Sequence, residues 1–278
     1  MPLSLAAVVV LVPAHLRFLA GLTRNLEQAD PPFENIVVVA SGFRFKFQVL
    51  RILQRLKGRK VSVVFAPLAS AGANRNLALS LITEDVICFL DADDLYHTHR
   101  NEIVTEIFQR YECDLLLHGF QIFSSAEESS VNLKYPIEPV FARFVSTPSI
   151  TTQENRRREK ELLGLTKSTN LRFVLPGEEF EVQHAHACVR REVLGAIKFH
   201  EEFGVRNEDG VFAQDIVEAG FTVTLTDLVL SFYRQGARAK PRLRRQLARS
   251  VSSFFGGQRS RGYLEIFRLG EGGFAKAN

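Results

Sequence analysis

Three aspartates, Asp91, Asp93 and Asp94, directly follow a short apolar run from Val86 to Leu90. Such a run predicts a buried strand of a parallel sheet, and ligands of open α/β sheets bind beyond the carboxyl ends of the strands. Asp91 and Asp93 are two residues apart, so their side chains lie on the same side of an extended chain. Two convergent carboxylates favour a divalent cation, and hard oxygen ligands suit Mg²⁺ or Mn²⁺. The alternative is a solvated acidic turn that caps the following helix.

Two further polar stretches could complete such a site. Gly72 to Asn76 begins a predicted helix, where backbone N–H groups and Arg75 favour the binding of phosphate. Glu208 and Asp209 follow far downstream, in front of another predicted helix. Either stretch could instead be an ordinary helix start, with polar residues in solvent or acids that favour the helix dipole. Taken together with the acidic strand end, they indicate a site for a metal ion and a nucleotide.

Composition argues against wholesale disorder, and the length allows one large α/β domain or two smaller ones. The 278 residues are 46% hydrophobic, which is enough for a sizeable core. The net charge of +4 favours anionic partners such as nucleotide phosphates or anionic lipid. Three scattered cysteines show no metal-ligand or disulfide spacing, which fits a reducing cytosol. No apolar run approaches the roughly 20 residues that span a bilayer.

Strand-like and helix-like segments alternate along the first half of the chain. Apolar runs predict strands at 6–12, 36–39, 61–65 and 86–90, and helical spacing predicts helices at 19–26, 49–56, 71–82 and 101–111. This alternation implies βαβ units and therefore a mostly parallel, Rossmann-like central sheet flanked by helices. Residues 124–182 mix Ser, Pro, Glu and Arg, and we interpret them as a variable insertion, with a solvated linker as the alternative.

The chain changes character at residue 239. Leu243, Leu247, Val251 and Phe254 fall on one helical face among several arginines, which predicts a basic amphipathic helix. We therefore divide the chain into a domain over 1–238 and a basic amphipathic C-terminal extension over 239–278. The predicted helix either packs on the domain, which we favour, or lies on anionic membrane. Nucleic acid is not expected as a partner, because the tail lacks interleaved aromatic residues.

The order and spacing of these motifs resemble family 2 glycosyltransferases, which are inverting enzymes with the GT-A fold, and especially their polysaccharide-assembling members. The resemblance runs from Ala6 to about Lys240, without the insertion. Residues 8–15 resemble the family's opening strand, residues 72–78 its Gly-x-x-Ala-Arg-Asn-x-Gly element and residues 89–94 its metal motif. Residues 189–194 resemble its Arg-Arg element, residues 207–212 its Glu-Asp element and residues 230–234 its closing strand.

The resemblance implies the transfer of a sugar from a nucleotide-diphosphate donor to a hydroxyl acceptor such as a glycan. From the cysteines we expect a cytoplasmic protein, and from the basic tail a peripheral contact with the membrane is an option. The resemblance implies that Asp91 and Asp93 hold Mn²⁺ or Mg²⁺. It also implies that Asp209 is the general base, with Glu208 orienting it or contacting the acceptor. The residues that it implies for binding the donor are Pro13, His15, Ser41, Arg75, Asp91 and Ala92.

Two other functions stay open at this point. Family members commonly carry Asp-Asp-Gly-Ser where this chain has Ala40-Ser41-Gly42-Phe43, so a carboxylate contact to the base is not expected. A non-catalytic nucleotide- or membrane-binding module on the same fold is therefore one alternative. The other is a nucleotidyltransferase, which shares the sheet and the acidic metal site. Against it, residues 13–17 lack the glycines that such enzymes usually carry after the first strand.

Overall fold

Eleven strands of the described residues form one sheet, with helices on both faces. The computed structural model describes residues 3–134, 171–174, 187–202, 208–235 and 264–277. The strands are β1 Leu5–Leu11, β2 Asn35–Ser41, β3 Val61–Ala66, β4 Val86–Asp91, β5 Leu95–Tyr96, β6 Leu115–Ser124, β7 Leu171–Val174, β8 Ala187–Arg190, β9 Val223–Gln235, β10 Glu265–Gly270 and β11 Gly273–Lys276. The helices are α1 Leu19–Glu27, α2 Lys46–Leu53, α3 Ala71–Leu79, α4 Arg100–Arg110, α5 Arg191–Ala196 and α6 Glu208–Glu218.

The centre of the sheet is parallel, and its flanks are mixed. The strand order is β11-β10-β3-β2-β1-β4-β8-β6-β9-β5, and β7 pairs with β9. The strands β3, β2, β1 and β4 run parallel to one another. Strand β10 is antiparallel to β3, and β8 is antiparallel to β4. Because the four central strands are parallel, their carboxyl ends meet at one edge, which we call the carboxyl edge of the sheet.

Both faces of the central strands are buried, which explains their continuous apolar runs. In β1, Leu5 and Val9 point into the core that includes α1, α2 and α4. The alternating residues Ala6 and Val8 point into the core that includes α3, α5 and α6. A strand with polar residues on one face could not occupy this position.

The α/β fold with a parallel centre between helices is confirmed, and several details differ from the sequence-based predictions. Helix α6 begins at Glu208, so Glu208 and Asp209 lie in its first turn and not in front of it. Strand β9 runs from Val223 to Gln235 and is longer than the stretch at 230–234 that resembles the family's closing strand. Residues 265–276 form the antiparallel pair β10–β11, which the prediction of an amphipathic extension did not include. The predicted amphipathic helix and most of the insertion lie outside the described residues, so the domain division stays a prediction.

Within the described ranges, no helix combines the length and the apolar character that crossing a bilayer requires.

The first turn of α3 lies against the backbone of residues 199–200. An ideal Cβ at Gly72 would lie 2.0 Å from the carbonyl oxygen of His200, a distance that real atoms do not tolerate. Ser70 caps this helix by accepting a hydrogen bond of 3.1 Å from the Ala73 N–H. The missing side chain at Gly72 therefore lets α3 approach a segment that is distant in sequence.

We predict that Gly72→Ala lowers the free energy of unfolding by roughly 1–3 kcal/mol, because the added methyl must displace a backbone carbonyl. Urea denaturation is the measurement. Gly195→Ala in α5 is the matched control, because a Cβ there meets no atom within 4 Å. Its helical position makes Ala neutral or up to about 1 kcal/mol more stable than Gly. Equal stability of the two variants would show that the close approach at Gly72 is not a packing constraint.

Candidate active site

The end of β4 is held by a tyrosine from β5. The Asp91 N–H donates a hydrogen bond of 2.7 Å to the Tyr96 hydroxyl. Tyr96 is held in turn by Asn25 of α1, whose Oδ1 accepts from the Tyr96 N–H at 2.7 Å and whose Nδ2 donates to the Tyr96 carbonyl at 2.7 Å. Tyr96 and Asn25 are both buried. The backbone of Asp91 is therefore fixed through two buried side chains.

The turn that follows β4 is held by Arg234 from β9. The Arg234 Nε donates to the carbonyl oxygen of Asp93 at 2.7 Å, and the Arg234 backbone N–H donates to Asp94 Oδ1 at 2.8 Å. The guanidinium lies 4.5 Å from the ring centroids of both Phe18 and Phe123. Arg234 is 1% exposed, so this cation is buried between two aromatic faces and the turn.

The three aspartates have different surroundings. Asp94 is 1% exposed, and burial together with the neighbouring Asp93 raises the pKa of its carboxyl well above the usual value. The side chains of Asp91 and Asp93 are 32% and 14% exposed. Asp94 therefore belongs to the structure of the turn, and Asp91 and Asp93 present carboxylates at the carboxyl edge.

Arg75 of α3 connects the end of β4 to the start of α6. Its NH1 lies 2.9 Å from Asp209 Oδ1 and 3.0 Å from Glu208 Oε1, and its NH2 lies 3.6 Å from Asp91 Oδ1. The Arg75 side chain is only 5% exposed, and its guanidinium carbon lies 5.1 Å from the centroid of the Phe199 ring. The predicted metal ligand Asp91 and the predicted general base Asp209 thus contact the same guanidinium, as a shared site requires.

Aromatic packing brings α6 to this position. Phe212 lies one turn beyond Asp209 on the same face of α6, since residues three apart are neighbours on a helix. Its ring stacks on Phe199 with the centroids 3.8 Å apart, and both rings meet Phe89 of β4 edge-on. Packing of Phe212 against β4 therefore places Asp209 beside the carboxyl end of that strand.

The electrostatics of this cluster follow from burial and from the excess of acids. Burial lowers the pKa of Arg75, but the carboxylates of Asp209, Asp91 and Glu208 outweigh it and raise the pKa overall. Burial also raises the pKa of Glu208, and Asp209 adds to this rise while Arg75 opposes it. One positive guanidinium thus pairs with three carboxylates, so the cluster retains a net negative charge.

The start of α3 differs from the predicted phosphate site. The Ser70 hydroxyl donates a hydrogen bond of 2.7 Å to the Glu201 carbonyl, and the Asn76 Nδ2 donates one of 2.8 Å to the Phe199 carbonyl. Together with the close approach at Gly72, these bonds cover the helix start with residues 199–201. Arg75 contacts carboxylates, and binding of a donor phosphate at this helix start stays a prediction.

The other residues predicted to bind a donor occupy varied positions at the carboxyl edge. Pro13 is exposed directly after β1, and His15 Nε2 lies 4.0 Å from Asp93 Oδ2. The Ser41 hydroxyl is buried, donates to the Pro67 carbonyl and accepts from the Ala69 N–H, each at 2.9 Å. Ala92 is 1% exposed, so its side chain packs in the core. Donor binding by these residues stays a prediction, and Ser41 and Ala92 could take part only through their backbone.

The chemistry of the acidic edge suits a hard divalent cation. Within the described ranges, no three His, Cys, Asp or Glu side chains are grouped around a common metal position. Mg²⁺ sites, however, commonly use one or two carboxylates and complete their shell with water and substrate phosphates. Asp91 and Asp93 supply such a pair of carboxylates, so the residues present fit a cation that a diphosphate helps to bind.

Three residues that organise the site were not predicted to have a role. Arg234 ends the stretch that resembles the family's closing strand, which was its only signal. Tyr96 and Asn25 act through hydrogen bonds between β5 and α1, and neither motif nor spacing marks them. Their roles depend on contacts that form only in the folded chain.

Open α/β proteins with a parallel sheet centre form a class that binds ligands beyond the carboxyl ends of the strands, where the acids of β4 lie here. Within this class, the family model described as glycosyl transferase family 2 matches residues 10–195 of the chain. The chain therefore belongs to glycosyl transferase family 2.

Known relatives are distant in sequence. An uncharacterized glycosyltransferase of Nostoc sp. is 23% identical over 116 residues, which cover 41% of this chain and 36% of the relative. This chain therefore spans about a third of that protein.

Solved structures confirm the GT-A fold. Residues 1–349 of S. aureus TarS match with a TM-score of 0.58 and 17% identity over 83% of this chain and 60% of that one. The same TarS fragment in complex with UDP-GlcNAc matches with a TM-score of 0.55 and 15% identity over 90% and 66%. The mannosyltransferase PcManGT from Pyrobaculum calidifontis, in complex with GDP-Man and Mn²⁺, matches with a TM-score of 0.59 and 14% identity over 93% and 66%. At such low identities, these matches show a similarity of fold alone.

The raised pKa of Glu208 predicts how stability changes with pH. A carboxyl whose pKa is raised in the folded state contributes its full stabilisation of the fold below its unfolded pKa of 4.5. It loses that stabilisation as pH rises through its folded pKa. The amide of Glu208→Gln can still accept a hydrogen bond from Arg75 but cannot ionise. Between about pH 4 and pH 7, wild type should therefore lose free energy of unfolding relative to this variant.

Urea denaturation at a series of pH values would measure this difference. Glu218→Gln at the other end of α6 is the control. Its side chain accepts a hydrogen bond from Gln214 at the surface, and its substitution should leave the pH dependence unchanged. A free energy of unfolding of wild type that stays constant or rises relative to that of Glu208→Gln between pH 4 and pH 7 would contradict the burial of an ionisable Glu208.

Proposed function

We propose that the protein is a metal-dependent, inverting glycosyltransferase that moves a sugar from a nucleotide-diphosphate donor to a hydroxyl acceptor, a glycan in particular. The observation that carries this proposal is the convergence of Asp91 and Asp209 on the single guanidinium of Arg75. Membership of glycosyl transferase family 2 supports the reaction. The complexes of TarS with UDP-GlcNAc and of PcManGT with GDP-Man and Mn²⁺ support the donor class and the metal.

Asp91 and Asp93 would hold Mg²⁺ or Mn²⁺ beside the donor. When bound there, the cation supplies charge neutralisation for the diphosphate leaving group. The tyrosine and arginine that hold the backbone of Asp91 and Asp93 keep these two carboxylates aligned. Pre-organised carboxylates need little rearrangement when a ligand binds, and this lowers the cost of binding.

Asp209 would act as the general base. A hydroxyl acceptor must lose its proton as it attacks the anomeric carbon, and a positioned carboxylate can accept that proton. The hydrogen bond of 2.9 Å from Arg75 orients the Asp209 carboxylate. Glu208 binds the same guanidinium and would orient Asp209 or contact the acceptor. A single displacement inverts the anomeric centre, so the reaction needs no covalent intermediate.

We also propose that the protein works in the cytoplasm, in peripheral contact with anionic membrane. The positive net charge of the chain supports an anionic surface as a partner. A segment over 239–278 that is rich in arginine supports the same partner from the sequence.

We predict that Asp93→Asn weakens Mn²⁺-dependent binding of UDP or GDP by roughly tenfold or more, because the loss of even an indirect metal contact typically costs that much. Isothermal titration calorimetry of each nucleotide, with and without Mn²⁺, is the measurement. Glu34→Gln is the control, because Glu34 is exposed and precedes β2 at the opposite edge of the sheet. If Mn²⁺ enhances nucleotide binding equally in wild type and in Asp93→Asn, Asp93 is not a metal ligand.

We predict that Asp209→Asn lowers kcat by roughly a hundred- to ten-thousand-fold, as expected when a general base is lost. Mn²⁺-dependent nucleotide binding should be retained, because Asp209 is not a proposed metal ligand. Metal-dependent hydrolysis or transfer with a panel of nucleotide sugars is the assay. Asp215→Asn is the matched control, since Asp215 lies on the same helix and pairs with His200 at the surface.

The assay also separates the proposed enzyme from a binding module. Nucleotide binding in wild type without turnover of any donor would favour a non-catalytic module. Turnover that is equal in wild type and Asp209→Asn would exclude Asp209 as the base and leave the metal site as a separate question.

A further inference from the structure

Residues 43–60 form the most basic described part of the chain. They contain seven basic residues and no acidic one, whereas the whole chain has a net charge of only +4. The basic residues are Arg44, Lys46, Arg51, Arg55, Lys57, Arg59 and Lys60. This segment follows β2 and includes α2, and three of its basic residues, Lys46, Arg55 and Lys60, pair with Glu265, Glu27 and Glu84.

Two phenylalanines of this basic segment are exposed to solvent. Phe45 is 66% exposed and Phe47 is 72% exposed, although α2 already buries Val49 and Leu53 in the core. They are two of only four large hydrophobic residues that are exposed in the part of the chain that the structure describes. Burial of α2 therefore leaves both rings in solvent, which calls for an explanation beyond folding.

A third exposed apolar residue lies beside them. Lys46, which separates the two phenylalanines, forms an ion pair with Glu265 of β10. Leu264 directly precedes Glu265 and is 52% exposed. Three of the four exposed large hydrophobic residues are thus grouped around one ion pair. We call Arg44, Phe45, Lys46, Phe47, Arg51 and Leu264 the aromatic–basic ridge.

The ridge lies at the same edge of the sheet as the candidate active site. Strand β2 ends at Ser41, just before the ridge, and runs parallel to β1, which runs parallel to β4. Glu265 is paired with Phe65, near the end of β3. A surface that contacts the ridge would therefore lie at the carboxyl edge, where Asp91 also lies.

We propose that the aromatic–basic ridge docks on an anionic membrane surface. Phe45, Phe47 and Leu264 would insert into the boundary between headgroups and acyl chains. Arg44 and Arg51 are exposed, and they would contact lipid phosphate and carboxylate groups.

Charge complementarity and shape support a membrane over other partners. Anionic lipid attracts basic residues near the surface, and exposed phenylalanines add burial of apolar area. The two rings are highly exposed and lie at the start of a helix, whereas single-stranded nucleic acid is bound in grooves with stacking platforms.

Docking of the ridge does not depend on glycosyl transfer. One consequence does rest on the proposed function: a docked carboxyl edge would present Asp209 to acceptors attached to the membrane. Binding of vesicles and turnover of nucleotide sugars are separate measurements, so failure of one proposal can be told from failure of the other.

The test is co-sedimentation of the full chain with phosphatidylcholine vesicles, with and without about 30% phosphatidylserine. Wild type should bind the anionic vesicles, and binding should weaken with salt. The double variant Phe45→Ser and Phe47→Ser should bind them roughly tenfold or more weakly, because the inserted apolar area is lost. The double variant Arg44→Gln and Arg51→Gln should also bind more weakly and with less dependence on salt.

Matched controls lie elsewhere on the surface. Ile122→Ser removes an exposed apolar residue on β6 that is 41% exposed, and Arg110→Gln removes an exposed arginine of α4. Both controls should bind anionic vesicles as wild type does. Circular dichroism melting curves would show that all variants are folded.

Three results would overturn the proposal. The first is wild type that does not bind anionic vesicles. The second is binding by both ridge variants that equals wild type, which would assign membrane contact to another part of the chain. The third is a ridge that binds a single-stranded oligonucleotide but no vesicle, which would assign it to nucleic acid.

Discussion

A single buried guanidinium holds the candidate active site together. Arg75 is 4% exposed, and burying a charge this deeply is costly unless partners compensate it. The partners come from β4 and from the start of α6, which are far apart in sequence. Arg75 can therefore be buried only when both elements are in place. In turn, the three carboxylates can lie close together only because Arg75 lies between them.

A second buried arginine holds the same strand end from a different direction, and it works differently. Arg234 donates to the carbonyl of Asp93 and, through its own N–H, to the Asp94 side chain. It therefore fixes the backbone of the turn and leaves the carboxylate of Asp93 free to face the edge. Its guanidinium NH1 also lies 2.9 Å from Glu128 Oε2, whereas Arg75 contacts carboxylates that face the site. Arg234 therefore determines the position of the acidic turn, and Arg75 balances the charges of Asp91, Glu208 and Asp209.

The features predicted best from the sequence are those that a local residue pattern determines. Strands β1 to β4 were recognisable because both of their faces are buried, which leaves a continuous apolar run such as Val86 to Leu90. The meeting of Asp91 with Asp209 was an expectation from family resemblance, because no periodicity links residues so far apart. The covered start of α3 was missed for the same reason: the partner of Gly72 is His200. Nor could a local pattern show that the Ser41 hydroxyl binds the loop at residues 67–69.

The antiparallel flanks of the sheet were missed because they depend on pairing between distant segments. Residues 265–276 are short strands at an edge, where one face need not be apolar, so their pattern is weak. Their placement still matters at the carboxyl edge, because β10 brings Glu265 to Lys46. The basic character of residues 43–60 was visible in the sequence from the start. Its meaning depended on knowing that Phe45 and Phe47 remain exposed after α2 has packed.

The distribution of charge along the carboxyl edge bears on the cation in the proposed function. An anionic diphosphate that approaches β4 would meet Asp91, Asp93, Glu208 and Asp209, and the guanidinium of Arg75 is already shared among three of them. Arg75 therefore cannot by itself offset the repulsion between donor and site. The basic residues of α2 belong to a different part of the edge, beyond the end of β2, and their charge is screened over such distances in salt. Asp91 and Asp93 would hold a divalent ion, which would supply positive charge for the phosphates of the proposed donor, while Arg75 keeps Asp209 oriented.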